Sequence, residues 1–267
     1  MMFAIIRSAA SALLCCVFAS VAFAGDAPPQ CRAQPDLTRP AYQLPHTAQR
    51  LMSREPLTIV ALGSSSTAGS GATSPAASYP SQLAAVLQDL FPSNEIRVLN
   101  RGVNGEDARE MLSRFDTSVA ADKPDLVLWQ VGTNAVLHGR PIGEAAGLIR
   151  EGVARIKALG ADVILIDAQF APRVIAKPEN EQMLGLLAGT ARETSVGLFP
   201  RFAVMRRWRE IQNIPFEAFL SPDGLHMNDW SYACIAKLLG DVIVEAATRA
   251  QPAVSAKLHA LLPPPLP

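Results

Sequence analysis

The run LTIVALGSSSTAG at residues 57–69 decides the fold class, because an apolar segment there ends abruptly in small polar residues. Residues 57–62 are apolar and rich in β-branched side chains, which predicts a strand buried on both faces. Four further runs, the last of them weak, indicate strands in the same way: residues 96–99, 126–131, 163–166 and 196–199. Apolar residues at helical spacing occupy the segments between them. This alternation predicts an α/β fold in which a parallel sheet is covered by helices on both faces.

The first 24 residues have the layout of a secretory signal peptide. A positive charge at Arg7 precedes an uncharged apolar stretch at residues 9–24, and the small residues that a signal peptidase reads end at Ala24. The alternative is an uncleaved membrane anchor, but the stretch is shorter than the roughly 20 residues that a spanning helix needs. We therefore expect export, cleavage after Ala24, a periplasmic or secreted mature protein and no stable membrane insertion.

Composition divides the rest of the chain into three segments. Residues 25–56 are rich in proline, glutamine and arginine and lack a sustained period, which predicts an extended N-terminal arm. Residues 57–250 are predicted to form the α/β domain. Residues 251–267 end in LLPPPLP, which forms neither a helix nor an interior strand, and we expect a proline-rich tail there.

Charge and residue spacing exclude several classes of function. The 24 Lys and Arg residues equal the 24 Asp and Glu residues, so no net charge favours nucleic acid as a partner. The four histidines are scattered and have no metal-ligand spacing with the cysteines, so neither a metal nor an organic cofactor is expected. The glycine-rich stretch at residues 63–71 lacks the lysine of a phosphate-binding loop and the Gly-x-Gly-x-x-Gly pattern of a dinucleotide site.

Two cysteines remain once the predicted signal peptide is removed. In an oxidising compartment Cys31 and Cys234 can form one disulfide between the arm and the last helix. They can equally be two unrelated buried thiols, because sequence spacing carries no geometry.

Polar clusters follow the predicted strands. Four such clusters occur: Ser65 after the first strand, residues 100–105 after the second, residues 132–134 after the third, and Asp223 with His226 before the last helix. Because ligands bind outside the carboxyl ends of parallel strands, we expect all four clusters to meet at one edge of the sheet. A hydroxyl, an imidazole and a carboxylate are the groups that acyl transfer through an activated serine requires. Each residue also has an ordinary interpretation, as a turn serine, a capping aspartate or a surface histidine; the shared placement favours catalysis.

The chain resembles the SGNH hydrolases, the GDSL esterase and lipase superfamily, from about residue 57 to about residue 244. Four stretches match the blocks of that family: residues 63–67, 100–105, 132–134 and 223–226, which read GSSST, NRGVNG, GTN and DGLH. The resemblance implies Ser65 as the nucleophile, with Asp223 and His226 as the acid and the base. It also implies a flavodoxin-like five-stranded sheet and an oxyanion hole formed by the backbone amides of Ser65 and Gly105 and the side chain of Asn134.

Two positions depart from the family pattern. The family usually has an aspartate where Ser64 stands and another acidic residue where Ala135 stands. Because both positions support the site in that family, we expect the departures to affect rate and local geometry more than reaction type. His138 and residues 169–173 can line the substrate pocket, although an ordinary loop explains each of them as well.

We therefore predict an exported serine esterase that hydrolyses carboxylic esters through an acyl-serine intermediate. Little chain remains for a lid or a deep acyl tunnel, which favours short acyl groups, including acetyl groups on carbohydrate. The alternatives are a lipase or thioesterase for longer acyl chains, an acyltransferase, and a non-catalytic periplasmic module that binds a glycan or another ligand. The expected partner is a small-molecule or carbohydrate ester.

Overall fold

The computed structural model describes residues 29–249, so the predicted signal peptide and proline-rich tail lie outside the described residues. Within that range, five parallel strands form one sheet: Leu57–Gly63 (β1), Ile96–Gly102 (β2), Leu126–Gln130 (β3), Asp162–Ile166 (β4) and Gly197–Phe199 (β5). Their spatial order is β2-β1-β3-β4-β5. This is the flavodoxin-like order of a doubly wound sheet, so the predicted fold class is confirmed.

Helices connect the strands and cover the sheet. The α-helices of the described residues are, in chain order, Pro35–Thr38 (α1), Pro45–Ser53 (α2), Ser65–Ala68 (α3), Tyr79–Leu90 (α4), Ala108–Ser113 (α5), Phe115–Ser118 (α6), Thr133–Leu137 (α7), Ile142–Ala158 (α8), Pro172–Ile175 (α9), Glu179–Thr194 (α10), Arg201–Glu210 (α11), Phe216–Phe219 (α12) and Asp229–Thr248 (α13). Short 3₁₀ helices span Pro75–Ala77 and Ala120–Asp122. In residues 29–249, no helix is both long enough and apolar enough to cross a bilayer.

The sheet separates two hydrophobic cores. Successive side chains of a strand point to opposite faces, so Ile59 of β1 packs into one core and Val60 into the other. Helices α4, α11 and α13 cover the first core, and α5, α8 and α10 cover the second. The continuous apolar strands are therefore explained by a three-layer α/β/α arrangement, in which both faces of the sheet are buried.

The N-terminal arm is not extended throughout. Residues 35–38 and 45–53 are helical, so the prediction of an extended arm is wrong for these two segments. Each helix has a proline in its first turn, where no amide hydrogen is needed, and α2 buries Ala48 and Leu51 against the first core. A disulfide joins Cys31 of the arm to Cys234 of α13, with the Cα atoms 5.3 Å apart.

The strand order reverses at β1 and thereby positions the site. Because β2 and β3 flank β1 and both run parallel to it, the chain leaves all three strands at the same edge of the sheet. In open α/β sheets, the crevice at this reversal, outside the carboxyl ends of the strands, is where ligands bind. The polar clusters that follow β1, β2 and β3 therefore lie in the position that the sequence predicted.

Candidate active site

Three polar side chains form a continuous hydrogen-bonded chain at the carboxyl edge of the sheet. Ser65 is the first residue of α3, two positions after the end of β1, and its Oγ lies 2.8 Å from Nε2 of His226. The other ring nitrogen of His226, Nδ1, lies 2.5 Å from Oδ2 of Asp223. The structure thus brings together the three residues that the sequence singled out, although 161 positions separate Ser65 from His226.

The Asp223 carboxylate is held in one orientation by its own turn. Its Oδ1 accepts hydrogen bonds from the backbone amides of Leu225 and His226, both at 2.9 Å, and from Oγ of Ser221 at 2.8 Å. Burial alone would raise the pKa of Asp223, but the hydrogen bonds from His226, Leu225 and Ser221 outweigh it and hold the pKa well below its ordinary value. Asp223 is therefore an anion at neutral pH, facing the imidazole.

The turn that carries Asp223 and His226 is anchored at both ends. An isolated bridge pairs Leu220 with Met227, and Asn228 caps α13 by accepting a hydrogen bond from the backbone amide of Ser231. Gly224, with a φ of 66°, makes the intervening turn in a conformation that favours glycine. The relation between the acid and the imidazole is therefore fixed locally.

Three hydrogen-bond donors face the groove beside Ser65. The groove encloses about 580 Å³ and is lined by Ser65, Gly105, Asn134 and His226, among others. Within residues 29–249, the backbone amides of Ser65 and Gly105 donate to no protein acceptor. Gly105 has a φ of 83°, and among the described residues no atom beyond its two chain neighbours lies within 4 Å of the position that a Cβ would take, so its backbone is open to a ligand.

The side chain of Asn134 is oriented by a backbone carbonyl. Asn134 lies in the first turn of α7, after β3, and its Nδ2 donates to the carbonyl oxygen of Glu106 at 2.8 Å. Because an amide nitrogen carries two hydrogens, one remains for a ligand in the groove. These three donors match the arrangement that stabilises a tetrahedral oxyanion.

Gln130 is hydrogen-bonded to Ser64, the residue that stands where the family pattern has an aspartate. The buried Oε1 of Gln130 accepts from the amide of Ser64 at 2.9 Å, from Oγ of Ser64 at 3.0 Å and from Oγ1 of Thr67 at 3.3 Å. These bonds fix the turn that carries Ser65. This role of Gln130 was not predicted from the sequence, although a single polar residue at the end of an apolar strand was the available signal.

Ala135, the second departure from the family pattern, contributes no polar group to the site. It is buried in α7 and lines a small cavity of about 80 Å³ with Asp107 and Arg140. Nε of Arg140 lies 3.2 Å from Oδ2 of Asp107, so the charges in this cavity are paired with each other.

A buried arginine is connected to the turn of His226. Arg201, at the start of α11, donates from Nε to the carbonyl oxygen of Asp167 and from Nη2 to Oε1 of Gln169, both at 3.0 Å. Gln169 in turn donates from Nε2 to the carbonyl oxygen of Leu225 at 3.2 Å. Since Leu225 directly precedes His226, these hydrogen bonds connect the start of α11 to the turn that carries His226. The burial of Arg201 was not predicted from the sequence.

The carboxyl group of Asp167 is buried beside this hydrogen-bond network. Burial raises the pKa of Asp167 to about 7, although the Phe202 amide, which donates to Oδ1 at 2.8 Å, and the charge of Arg201 oppose the rise. The folded protein therefore keeps a proton on Asp167 under mildly acidic conditions.

We expect Asp167→Asn to reduce the pH dependence of stability. Asp167 loses its proton near pH 4 in the unfolded chain but near pH 7 in the folded protein. Between these pH values only the unfolded chain is ionised at this residue, and this lowers the free energy of unfolding as the pH rises. Asparagine removes that contribution. Urea titrations at about pH 4.5 and about pH 7.5 measure it, and an equal pH dependence in the variant and the parent contradicts the prediction.

Comparisons with known proteins identify the family. A model of the Non-GDSL lipase-like family matches residues 30–249. The chain belongs to this family. The acetylxylan esterase of Geobacillus stearothermophilus is 36% identical over 58 residues, which are 22% of this chain and 26% of that protein. The arylesterase of Vibrio mimicus is 25% identical over 168 residues, which are 63% of this chain and 79% of that protein.

Solved structures share the fold. The acetylxylan esterase Axe2 from Geobacillus stearothermophilus has a TM-score of 0.60 and 21% identity, over 70% of this chain and 94% of Axe2. A two-domain esterase, CEX, active on acetylated mannans, has a TM-score of 0.66 and 20% identity, over 79% of this chain and 56% of CEX. The resemblance to the SGNH hydrolases is confirmed, and the family and esterase matches together support an ester-hydrolysing enzyme.

Proposed function

We propose that the protein is a serine esterase that hydrolyses carboxylic esters through an acyl-serine intermediate. The observation that carries this proposal is the hydrogen-bonded chain from Ser65 through His226 to Asp223, at the edge of an open groove. Nε2 of His226 takes the hydroxyl proton of Ser65 while Oγ attacks the ester carbonyl, and Asp223 stabilises the imidazolium that forms. The bond to the alcohol then breaks, and His226 returns the proton to the departing alcohol.

The second half of the reaction uses the same groups. His226 takes a proton from water as the water oxygen attacks the acyl carbonyl, and the bond between the carbonyl carbon and Oγ of Ser65 breaks. The products are a carboxylic acid and free Ser65, whose Oγ recovers its proton. In both halves, the backbone amides of Ser65 and Gly105 and Nδ2 of Asn134 are the proposed donors to the carbonyl oxygen while it carries negative charge.

We expect Asn134→Ala to lower kcat by about 10²–10³, because loss of one oxyanion donor costs roughly 2.7–4 kcal/mol of transition-state stabilisation. Steady-state hydrolysis of p-nitrophenyl acetate measures the effect, and a thermal melt checks that the variant folds. Turnover close to that of the parent protein would remove Asn134 from the oxyanion hole.

The substrate class is proposed from the related proteins and from the groove. The named relatives act on acetylated xylan, acetylated mannans or aryl esters, which supports a short acyl group and an alcohol of the carbohydrate or aryl type. Catalytic mutants of Axe2 replace a serine, an aspartate and a histidine. In Axe2 the aspartate and the histidine are separated by three positions, as Asp223 and His226 are here. The disulfide between Cys31 and Cys234 supports export to an oxidising compartment.

Covalent labelling tests the mechanism directly. A fluorophosphonate reacts with an activated serine, so it is expected to label the parent protein at Ser65, as located by peptide mass, and to leave Ser65→Ala unlabelled. Labelling at Ser64 or Ser66 would show that this other serine, and not Ser65, is the nucleophile. No labelling of the parent protein would favour a non-catalytic binding module.

Chain-length dependence separates an esterase for short acyl groups from a lipase. Hydrolysis of p-nitrophenyl acetate is compared with hydrolysis of the octanoate and palmitate esters. A higher kcat/KM for the acetate supports the proposed substrate class, whereas a higher value for the octanoate or palmitate supports a lipase or thioesterase.

A further inference from the structure

The groove beside Ser65 contains two basic side chains and no acidic ones. Arg173 lies in α9, Lys177 follows that helix, and both line the groove with Gly105 and Asn134. None of the described residues that line it is an aspartate or a glutamate. The chain as a whole carries equal numbers of acidic and basic residues, so this local excess of positive charge is not a consequence of composition.

Neither basic residue is neutralised by a protein partner. In residues 29–249, Arg173 and Lys177 form no ion pair. The small cavity beside Ala135 is different, because both of its arginines are paired with acidic residues: Arg140 with Asp107 and Arg109 with Glu144. The positive charge in the groove is therefore available to a ligand.

The segment that carries these cations is anchored to the core. Val174 of α9 is fully buried in the first core, between an exposed Arg173 and a half-buried Lys177. Helix α9 also contacts α7, the helix of Asn134. Because the backbone is fixed by this packing, binding a ligand costs mainly side-chain entropy.

We propose that the natural ester carries a carboxylate on its alcohol part, as in an O-acylated acidic sugar, and that Arg173 and Lys177 bind this carboxylate. The inference rests on the proposed esterase function. The groove, at about 580 Å³, is many times larger than an acetyl group, so most of it is left for the alcohol. A guanidinium donates two parallel hydrogen bonds to a carboxylate, and an ammonium adds a compact charge.

A matched pair of substrates tests this assignment. The acetyl ester of 4-hydroxybenzoate carries a carboxylate, and the acetyl ester of 4-hydroxybenzamide has nearly the same shape without the charge. We expect the ratio of kcat/KM for the carboxylate ester to kcat/KM for the amide ester to fall by about tenfold in the double variant Arg173→Gln/Lys177→Gln, because two exposed charge contacts, each modest by itself, are removed together. Comparing the ratio between proteins cancels the intrinsic reactivity of the two esters.

Two control variants separate charge at the groove from charge elsewhere. Arg97→Gln removes an exposed cation from β2, away from the groove, and is expected to leave the ratio unchanged. Arg173→Lys/Lys177→Arg keeps both charges and is expected to keep most of the preference. Raising the salt concentration to about 0.5 M is expected to lower the ratio of the parent protein, since it screens exposed charges.

The outcomes distinguish this inference from the esterase proposal. If the ratio of kcat/KM for the two esters is the same in the double variant as in the parent protein, the carboxylate assignment is wrong and the esterase proposal stands. The assignment is also overturned if Arg97→Gln lowers this ratio as much as the double variant does. If the parent protein hydrolyses neither ester and is not labelled by the fluorophosphonate, both proposals are wrong.

Discussion

Replacing His226 with alanine is expected to lower kcat by about 10⁶-fold towards a short-chain ester, and Ser65→Ala is expected to have an effect of the same size. Among the described residues, Oγ of Ser65 forms a hydrogen bond only with Nε2 of His226, at 2.8 Å, so loss of the imidazole leaves no base in place to take the hydroxyl proton. Asp223→Ala is expected to cost about 10⁴-fold, because the imidazole remains but loses its orientation and its counter-ion. Steady-state kinetics with p-nitrophenyl acetate, on proteins shown by thermal melts to fold, measure all three.

The double variant gives the sharper test. If Ser65 and His226 act as one unit, Ser65→Ala/His226→Ala is expected to be no slower than either single variant, because each single change already disables the unit. Effects that multiply would mean that the two residues act independently, against the hydrogen bond that joins them. A His226→Ala protein with kcat within tenfold of the parent would exclude the histidine as the base.

The elements that the sequence predicted well are those whose local pattern agrees with their tertiary environment. The predicted runs 57–62 and 126–131, which are apolar apart from Thr58 and Gln130, coincide with the central strands β1 and β3, and both strands are buried on two faces. Ser65, Asp223 and His226 could be singled out because short motifs carry them, and the parallel sheet places the ends of its strands at one edge.

The features that the sequence did not predict depend on partners that are distant along the chain. Helix α2 has few apolar residues, and it is held by packing and by Thr47, whose amide and Oγ1 both donate to Oδ2 of Asp162 at 2.8 Å. These two residues are 115 positions apart, so no local pattern reveals the contact. Such tertiary contacts, rather than propensity, determine whether a short helix forms.

Buried polar residues are hidden from sequence analysis for the same reason. The segment from Arg201 to Arg209 contains four arginines, and three of them look like a solvated basic face. Arg201 is instead fully buried, because the carbonyl of Asp167 and the side chain of Gln169 supply acceptors after β4. An arginine is buried only where such partners exist, and sequence alone does not locate them.

Replacing Arg201 with alanine is expected to lower the free energy of unfolding by about 3–5 kcal/mol. Arg201 is one of the largest fully buried side chains, so alanine leaves a cavity of the kind that costs several kcal/mol in a core. The change also leaves the carbonyl oxygen of Asp167 and Oε1 of Gln169 without their donor, at about 1–3 kcal/mol for each buried unpaired group. Urea unfolding followed by tryptophan fluorescence measures the loss.

Arg201→Met separates packing from hydrogen bonding. Methionine fills most of the same volume but leaves the same two acceptors unpaired, so we expect it to lose about 2–3 kcal/mol and to remain more stable than the alanine variant. Arg97→Ala, an exposed control on β2, is expected to change stability by less than about 0.5 kcal/mol. Among the described residues, Nη1 of Arg201 has no hydrogen-bond partner, so the guanidinium also carries an uncompensated cost of burial. A loss below about 1 kcal/mol in Arg201→Ala would mean that this cost offsets the packing and the two hydrogen bonds.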